Sequence, residues 1–108
     1  MTLNELDVRD QRLFRLMQQI NFGRLESLEI KNGFAVCTPN SRRVISKKIG
    51  GENVIHISKR SDGNFLLSDK HLSFLKSIKE LTSAVIEVIQ IQNGLPVSME
   101  ISEAMDQF

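Results

Sequence analysis

A chain of 108 residues, 41% hydrophobic and 25% charged, has the size and composition of one globular domain, which excludes a coiled coil, a generally disordered chain and two independent cores. A formal net charge of +1 excludes a global electrostatic pull toward nucleic acid or membrane, so any such contact has to be local. With six Phe and neither Trp nor Tyr, the core must be mainly aliphatic.

The polar opening from Met1 to Arg12 lacks the basic and apolar regions of a signal peptide. No apolar run approaches the roughly 18 to 20 residues of a membrane span. A cytoplasmic protein is expected, and the lone Cys37, which cannot form an internal disulfide, agrees with a reducing compartment. Leu6, Leu13, Phe14, Met17 and Ile20 recur at helical spacing and mark one face of a first helix. Thr2 to Glu5 reads as a capping box, with Asp7 as a competing cap.

Past Gly23 the period changes to alternation, with Leu28 and Ile30 on one side of a strand that ends at Asn32-Gly33. A three-residue loop, Lys31-Asn32-Gly33, would pair Ile30 with Phe34 and Leu28 with Val36 and gather all four on one face. A second hairpin, around Asn93-Gly94, agrees, with Ile91 meeting Leu95 and Ile89 meeting Val97, so a type I turn with a left-handed bulge glycine is expected at both Gly33 and Gly94.

The pattern returns 61 positions later. Leu13, Phe14, Met17 and Ile20 fall on Phe74, Leu75, Ile78 and Leu81, and Leu25, Glu26, Leu28, Ile30, Asn32 and Gly33 fall on Ile86, Glu87, Ile89, Ile91, Asn93 and Gly94. Leu72, Leu75, Ile78 and Leu81 form the second helical face, which Ser68 and Asp69 start. Two copies are fewer than a solenoid needs, so each covers the other's apolar surface within one domain. The expected fold is α+β: two pseudo-symmetric helix-strand-strand units forming a four-stranded antiparallel sheet with both helices on one face, plus a basic insert that adds a hairpin. The organisation is a single domain over 1–108, with repeat one at 3–38, the insert at 39–67, repeat two at 68–102 and an acidic tail at 103–108.

Proline lacks an amide donor, so Pro96 belongs on an edge strand or turns its nitrogen outward. On strict alternation the reverse face carries Ser27, Glu29 and Lys31 in the first copy but Ile86, Val88 and Pro96 in the second. That second patch is apolar enough to need a cover, which makes Ile86, Val88 and Pro96 candidate protein-interface residues.

The insert is locally basic. Arg42, Arg43, Lys47, Lys48, Lys59 and Arg60 outnumber Glu52 and Asp62, and are the candidate nucleic-acid contacts through phosphate. Solvated edge-strand cations are the competing reading, and the lack of aromatics among them argues against base stacking. Val54, Ile55, Ile57 and Phe65 to Leu67, with Gly63 between, suggest a further hairpin, and Gly50-Gly51 a loop.

Chemistry-bearing residues are few. His56 and His71 lie in no metal-ligand spacing with Cys37 or a carboxylate, so neither a metal nor another cofactor is expected. Glu26 and Glu87 share the parity of the strand core residues, so as a pair they would raise one another's pKa as catalytic dyads do; pairing with a base such as Arg24 is the plainer reading. No nucleophile, base and cofactor motif occur together, and no catalytic residue is assigned.

The run Ile20 to Val36, "INFGRLESLEIKNGFAV", resembles the YezD-like short bacterial proteins of unknown function, in which a helix ending near Ile-x-Phe-Gly leads into an alternating strand, an Asn-Gly or Asp-Gly turn and a valine-containing return strand. The resemblance covers about Leu13 to Val36 and Phe74 to Met99, and implies a helix and hairpin scaffold of bacterial origin with no catalytic residue attached. The expected function is a small non-enzymatic binding or regulatory module working through a protein partner or a homodimer, by its second-hairpin face or an exposed strand edge. The alternative is nucleic-acid binding by the insert.

Overall fold

Two amphipathic helices are set by their caps. The first, α1 (Val8–Ile20), starts at Asp7, whose Oδ1 accepts from the Arg9 N–H at 2.8 Å. The Thr2 and Glu5 pair instead closes a short 3-10 turn, Leu3–Glu5, ahead of it, with the Thr2 N–H donating to Glu5 Oε1 at 3.4 Å. The second, α2 (Asp69–Lys79), starts at Ser68, as the sequence suggests. The computed structural model describes residues 1–49 and 64–106. Candidate contacts Lys59 and Arg60, together with His56, Gly50-Gly51 and most of the expected insert hairpin, lie outside them.

Five strands follow: β1 (Gly23–Lys31), β2 (Phe34–Val36), β3 (Arg42–Ile45), β4 (Ser83–Gln92) and β5 (Leu95–Ser102). All pairings are antiparallel, in the order β2-β1-β4-β5, and β3 joins the same edge of β1 as β2. Among the described residues the fold is thus α+β with two helices and a five-stranded antiparallel sheet. The extra strand comes from the start of the basic insert, where Arg42 to Ile45 pair with Gly23 to Glu26. Gly23 permits this close approach, because a Cβ there would overlap the Val44 carbonyl oxygen.

Both helices cover one face of the sheet. Phe14, Met17 and Ile20 of α1, Phe74 and Ile78 of α2, and Leu25, Leu28, Ile30, Ile86, Ile89 and Ile91 of the central strands make one buried cluster. The α2 stripe runs through His71, Phe74, Leu75 and Ile78, while Leu72 is 41% exposed and leaves the expected face.

The turns are tighter than the apolar pattern predicts. Lys31 pairs with Phe34 and Gln92 with Leu95, so each loop has two residues, and Asn32 (φ 52°), Gly33 (φ 83°), Asn93 (φ 54°) and Gly94 (φ 75°) are all left-handed. This is the type I′ hairpin turn, whose twist matches the strands and which Asn-Gly favours. Both three-residue bulged loops are corrected accordingly, as are the pairings of Ile30 with Phe34, Leu28 with Val36, Ile91 with Leu95 and Ile89 with Val97.

The pattern misled because neither central strand alternates strictly. Buried positions fall at 25, 28 and 30 in β1 and at 84, 86, 89 and 91 in β4, each series broken by one three-residue step. In β1 the step is at Ser27, a non-glycine with φ 62°, flanked by the pairs Glu26 with Val88 and Leu28 with Ile86. Its carbonyl accepts from Ser41 Oγ at 2.7 Å and Thr38 Oγ1 at 3.4 Å, in the gap between β2 and β3. In β4 the step is Glu87, the extra residue of a bulge against β5. Two placements change as a result. Ile86 points into the core rather than to the reverse face, and Glu26 and Glu87 leave the core parity, which Leu25 and Ile86 take instead.

Candidate protein interface

Among the candidate interface residues, Val88 alone lies on the helix-free face, half-buried beside Glu26. Ile86 is fully buried between the central strands and the helices. Pro96 is also buried: across the two-residue turn it pairs with the core residue Ile91, and the extra residue at Val97 then keeps Met99 and Ile101 on the same helix side. Its nitrogen points to the outer edge: Leu95 faces Gln92 beside the two-residue turn, so the next backbone group turns away from β4.

Pro96 instead helps to form a groove. Between α2 and β5 lies an open cleft of about 530 Å³, with Phe74, Pro96 and Met99 along its apolar side and Ser73, Ser77 and Ser98 on its rims. β5 is the last strand of the sheet, eight residues long, with no strand beyond it among the described residues. An edge of this kind presents unpaired backbone donors and acceptors, here next to a concave wall.

The first turn of α2 that borders the groove is held by His71. Its Nδ1 accepts from the Ser68 N–H at 3.0 Å and lies 3.1 Å from Ser68 Oγ, while the ring packs edge-on to Phe14 at 4.5 Å and tilted to Phe65 at 5.6 Å. With Nδ1 accepting, the proton of the neutral ring sits on Nε2, which is buried without a partner among the described residues. Burial pushes the His71 pKa below its ordinary value. A depressed histidine pKa means that the unfolded chain takes up the proton first. Stability is therefore full above the ordinary histidine range near pH 6.5 and falls as pH drops through that range toward the folded value. Urea titrations at pH 7.5, 6.5 and 5.5 should show this loss in the native chain and a smaller one in His71→Leu. Equal slopes for the two chains would rule His71 out as its source.

At the opposite end of the helix pair, Asp10 is buried and meets Lys79, whose Nζ lies 2.8 Å from Oδ2 and 3.0 Å from Oδ1. The same ammonium donates to the Gly33 carbonyl at 2.8 Å and lies 3.6 Å from the centre of the Phe34 ring, against which Arg9 also packs at 3.5 Å. This cluster ties α1, α2 and the first hairpin turn together. Asp10 has no precedent in the sequence reading; the signal was a carboxylate at helical spacing from Leu13 and Phe14, three and four residues before them.

The remaining candidates are dispersed. Glu26 accepts from Arg24 Nε at 2.6 Å, as the plainer reading has it, and Glu87 accepts from Ser102 Oγ at 2.8 Å, so each carboxylate is engaged by a neighbour. Cys37 is exposed. Arg42, Arg43, Lys47 and Lys48 are exposed on β3 and just past it, with Arg42 opposite Glu26. Among the described residues no helix is long and apolar enough to cross a membrane. No protein-family model matches the chain, and no curated protein or solved structure shows significant similarity to it.

Proposed function

We propose that the chain is a non-enzymatic binding or regulatory module that acts through protein-protein contacts along the β5 edge and the groove beside it. The observation that carries this is the eight-residue edge strand bordering a 530 Å³ cleft with Phe74, Pro96 and Met99 on its apolar side. Strand addition at such an edge draws affinity from main-chain hydrogen bonds and specificity from side chains that enter the adjoining cleft. The outward nitrogen of Pro96 carries no hydrogen, which restricts pairing beside the turn and directs it to the Val97 to Ser102 end. A photo-reactive amino acid placed singly at Ser98, Glu100 and, as a control on the same sheet face two strands away, Glu29 tests the site in the native host. Adducts from the two edge positions and none from Glu29 are expected. Adducts from Glu29 alone, or none at all, would defeat the reading.

The proposal extends to architecture, with the two helix-hairpin units as copies of one ancestral unit. Three facts support it. The β1 and β4 register maps onto itself under the 61-residue shift, since Gly23 pairs with Ile91 as Ile30 pairs with Ala84. The two buried polar residues among those described, Asp10 and His71, are 61 positions apart. Gly33 packs on Lys79 and Gly94 on Gln18, again 61 apart.

A second reading, nucleic-acid binding, is favoured by the exposure of Arg42, Arg43, Lys47 and Lys48 in one stretch. Against it, Arg42 stands opposite Glu26, whose carboxylate offsets part of the positive field. Binding to mixed-sequence DNA and RNA at low salt, steepened in its salt dependence by these cations, would support it.

A further inference from the structure

We infer that the occupant of the β5 edge is a second copy of this chain, paired antiparallel through β5 and α2 about a two-fold axis; this rests on the reading of β5 as a protein-docking edge. The strand is self-complementary. With Met99 opposite its own copy, Val97 faces the partner's Ile101 and Ser98 faces the partner's Glu100, so apolar meets apolar, and no two carboxylates are opposed. Pro96 then stands opposite the partner's Ser102 at the end of the ladder, where a missing donor interrupts nothing. Met99 and Ile101, half-buried in a single copy, gain cover on their free side.

The helix repeats the match independently. Lys70, Ser73, Ser77 and Glu80 are all exposed and, spaced three, four and three apart, form one stripe on α2 and its last turn. Lys70, Ser73 and Ser77 line the groove on the β5 side, whereas Lys79 on the other flank holds Asp10. The axis that pairs β5 with itself lays α2 antiparallel to its copy. Ser73 then meets the partner's Ser77, two small side chains that allow close approach, and Lys70 meets the partner's Glu80, with both contacts occurring twice. Charge complementarity of this kind selects orientation in a symmetric interface.

Sedimentation equilibrium of the full chain tests the inference with Lys70→Glu, Glu80→Lys and the double exchange. These positions are exposed and ten residues apart on one helix, too far to pair within it, so restoration by the double exchange reports a contact between copies. The native chain should form a concentration-dependent dimer, each single variant should weaken it about tenfold through two like-charge contacts, and the double exchange should return it to within about threefold. A monomer up to about 1 mM, or a dimer that neither single variant weakens, would overturn the second copy as the occupant. Photo-adducts from Ser98 to a different protein, in a chain that stays monomeric, would overturn the homodimer and leave the docking edge standing. Absence of both would remove the two together.

Discussion

Ile86→Ala should cost about 3 kcal/mol, while Val88→Ala, two residues along the same strand, should cost under about 1 kcal/mol. Ile86 is fully buried, pairs with Leu28 on one side and Ile101 on the other, and belongs to the cluster formed by both helices and the central strands. Removing its branched side chain leaves a cavity that rigid neighbours cannot close. Val88 looks the other way, half-exposed beside Glu26, and loses little on truncation. Midpoints of urea denaturation at pH 7.5 give both numbers. Since a domain of this size has about 5 to 15 kcal/mol of stability, Ile86→Val, expected at about 1 kcal/mol, serves if the alanine variant is too weak to purify. Similar losses at the two positions would contradict the parity shift at Glu87.

Lys79→Ala is the second large effect, at about 3 kcal/mol. Two charges taken out of water need each other: without the ammonium, the buried Asp10 carboxylate and the Gly33 carbonyl both lose their donor. The one-third exposure of the Lys79 side chain lets water reach the gap and keeps the figure at the lower end of the range for broken buried pairs. Contact with the Phe34 ring adds a cation-π term that alanine also removes. In a double-mutant cycle with Asp10→Ala, the two losses should fall short of additivity by 1 kcal/mol or more. Additive losses would mean that the pair contributes nothing as a pair.

Which elements could be read in the sequence follows from how local their causes are. The helices at Leu13 to Ile20 and Phe74 to Ile78 are visible because each buries a stripe at helical spacing. The Asn32-Gly33 and Asn93-Gly94 turns announce themselves by composition. Strict alternation predicts three-residue loops there, and alternation fails at Ser27 and Glu87. Ser27 holds a positive φ without being glycine because Thr38 and Ser41, more than ten residues away, hydrogen-bond its carbonyl. No local pattern encodes that support. A single parity step in each central strand places Ile86 in the core rather than on the surface, and the two-residue turn does the same for Pro96 by setting it opposite Ile91. The groove is a product of turn and bulge together, since the turn brings Pro96 and the bulge brings Met99 to the helix side, and it has no signature of its own in the chain.

The order in which this fold assembles follows from the sheet's middle seam. Each hairpin closes across two residues, but β1 and β4 join residues 52 to 68 positions apart, through a segment that contributes β2, β3 and α2 to the described structure. Closing a flexible loop of that length costs about 3.5 kcal/mol in its length-dependent part alone. The hairpins can therefore form on their own microsecond timescale while the seam waits for a rarer encounter. Until it closes, β1 and β4 each expose a long apolar edge, and the window for aggregation during refolding is set by that one step rather than by either helix or turn.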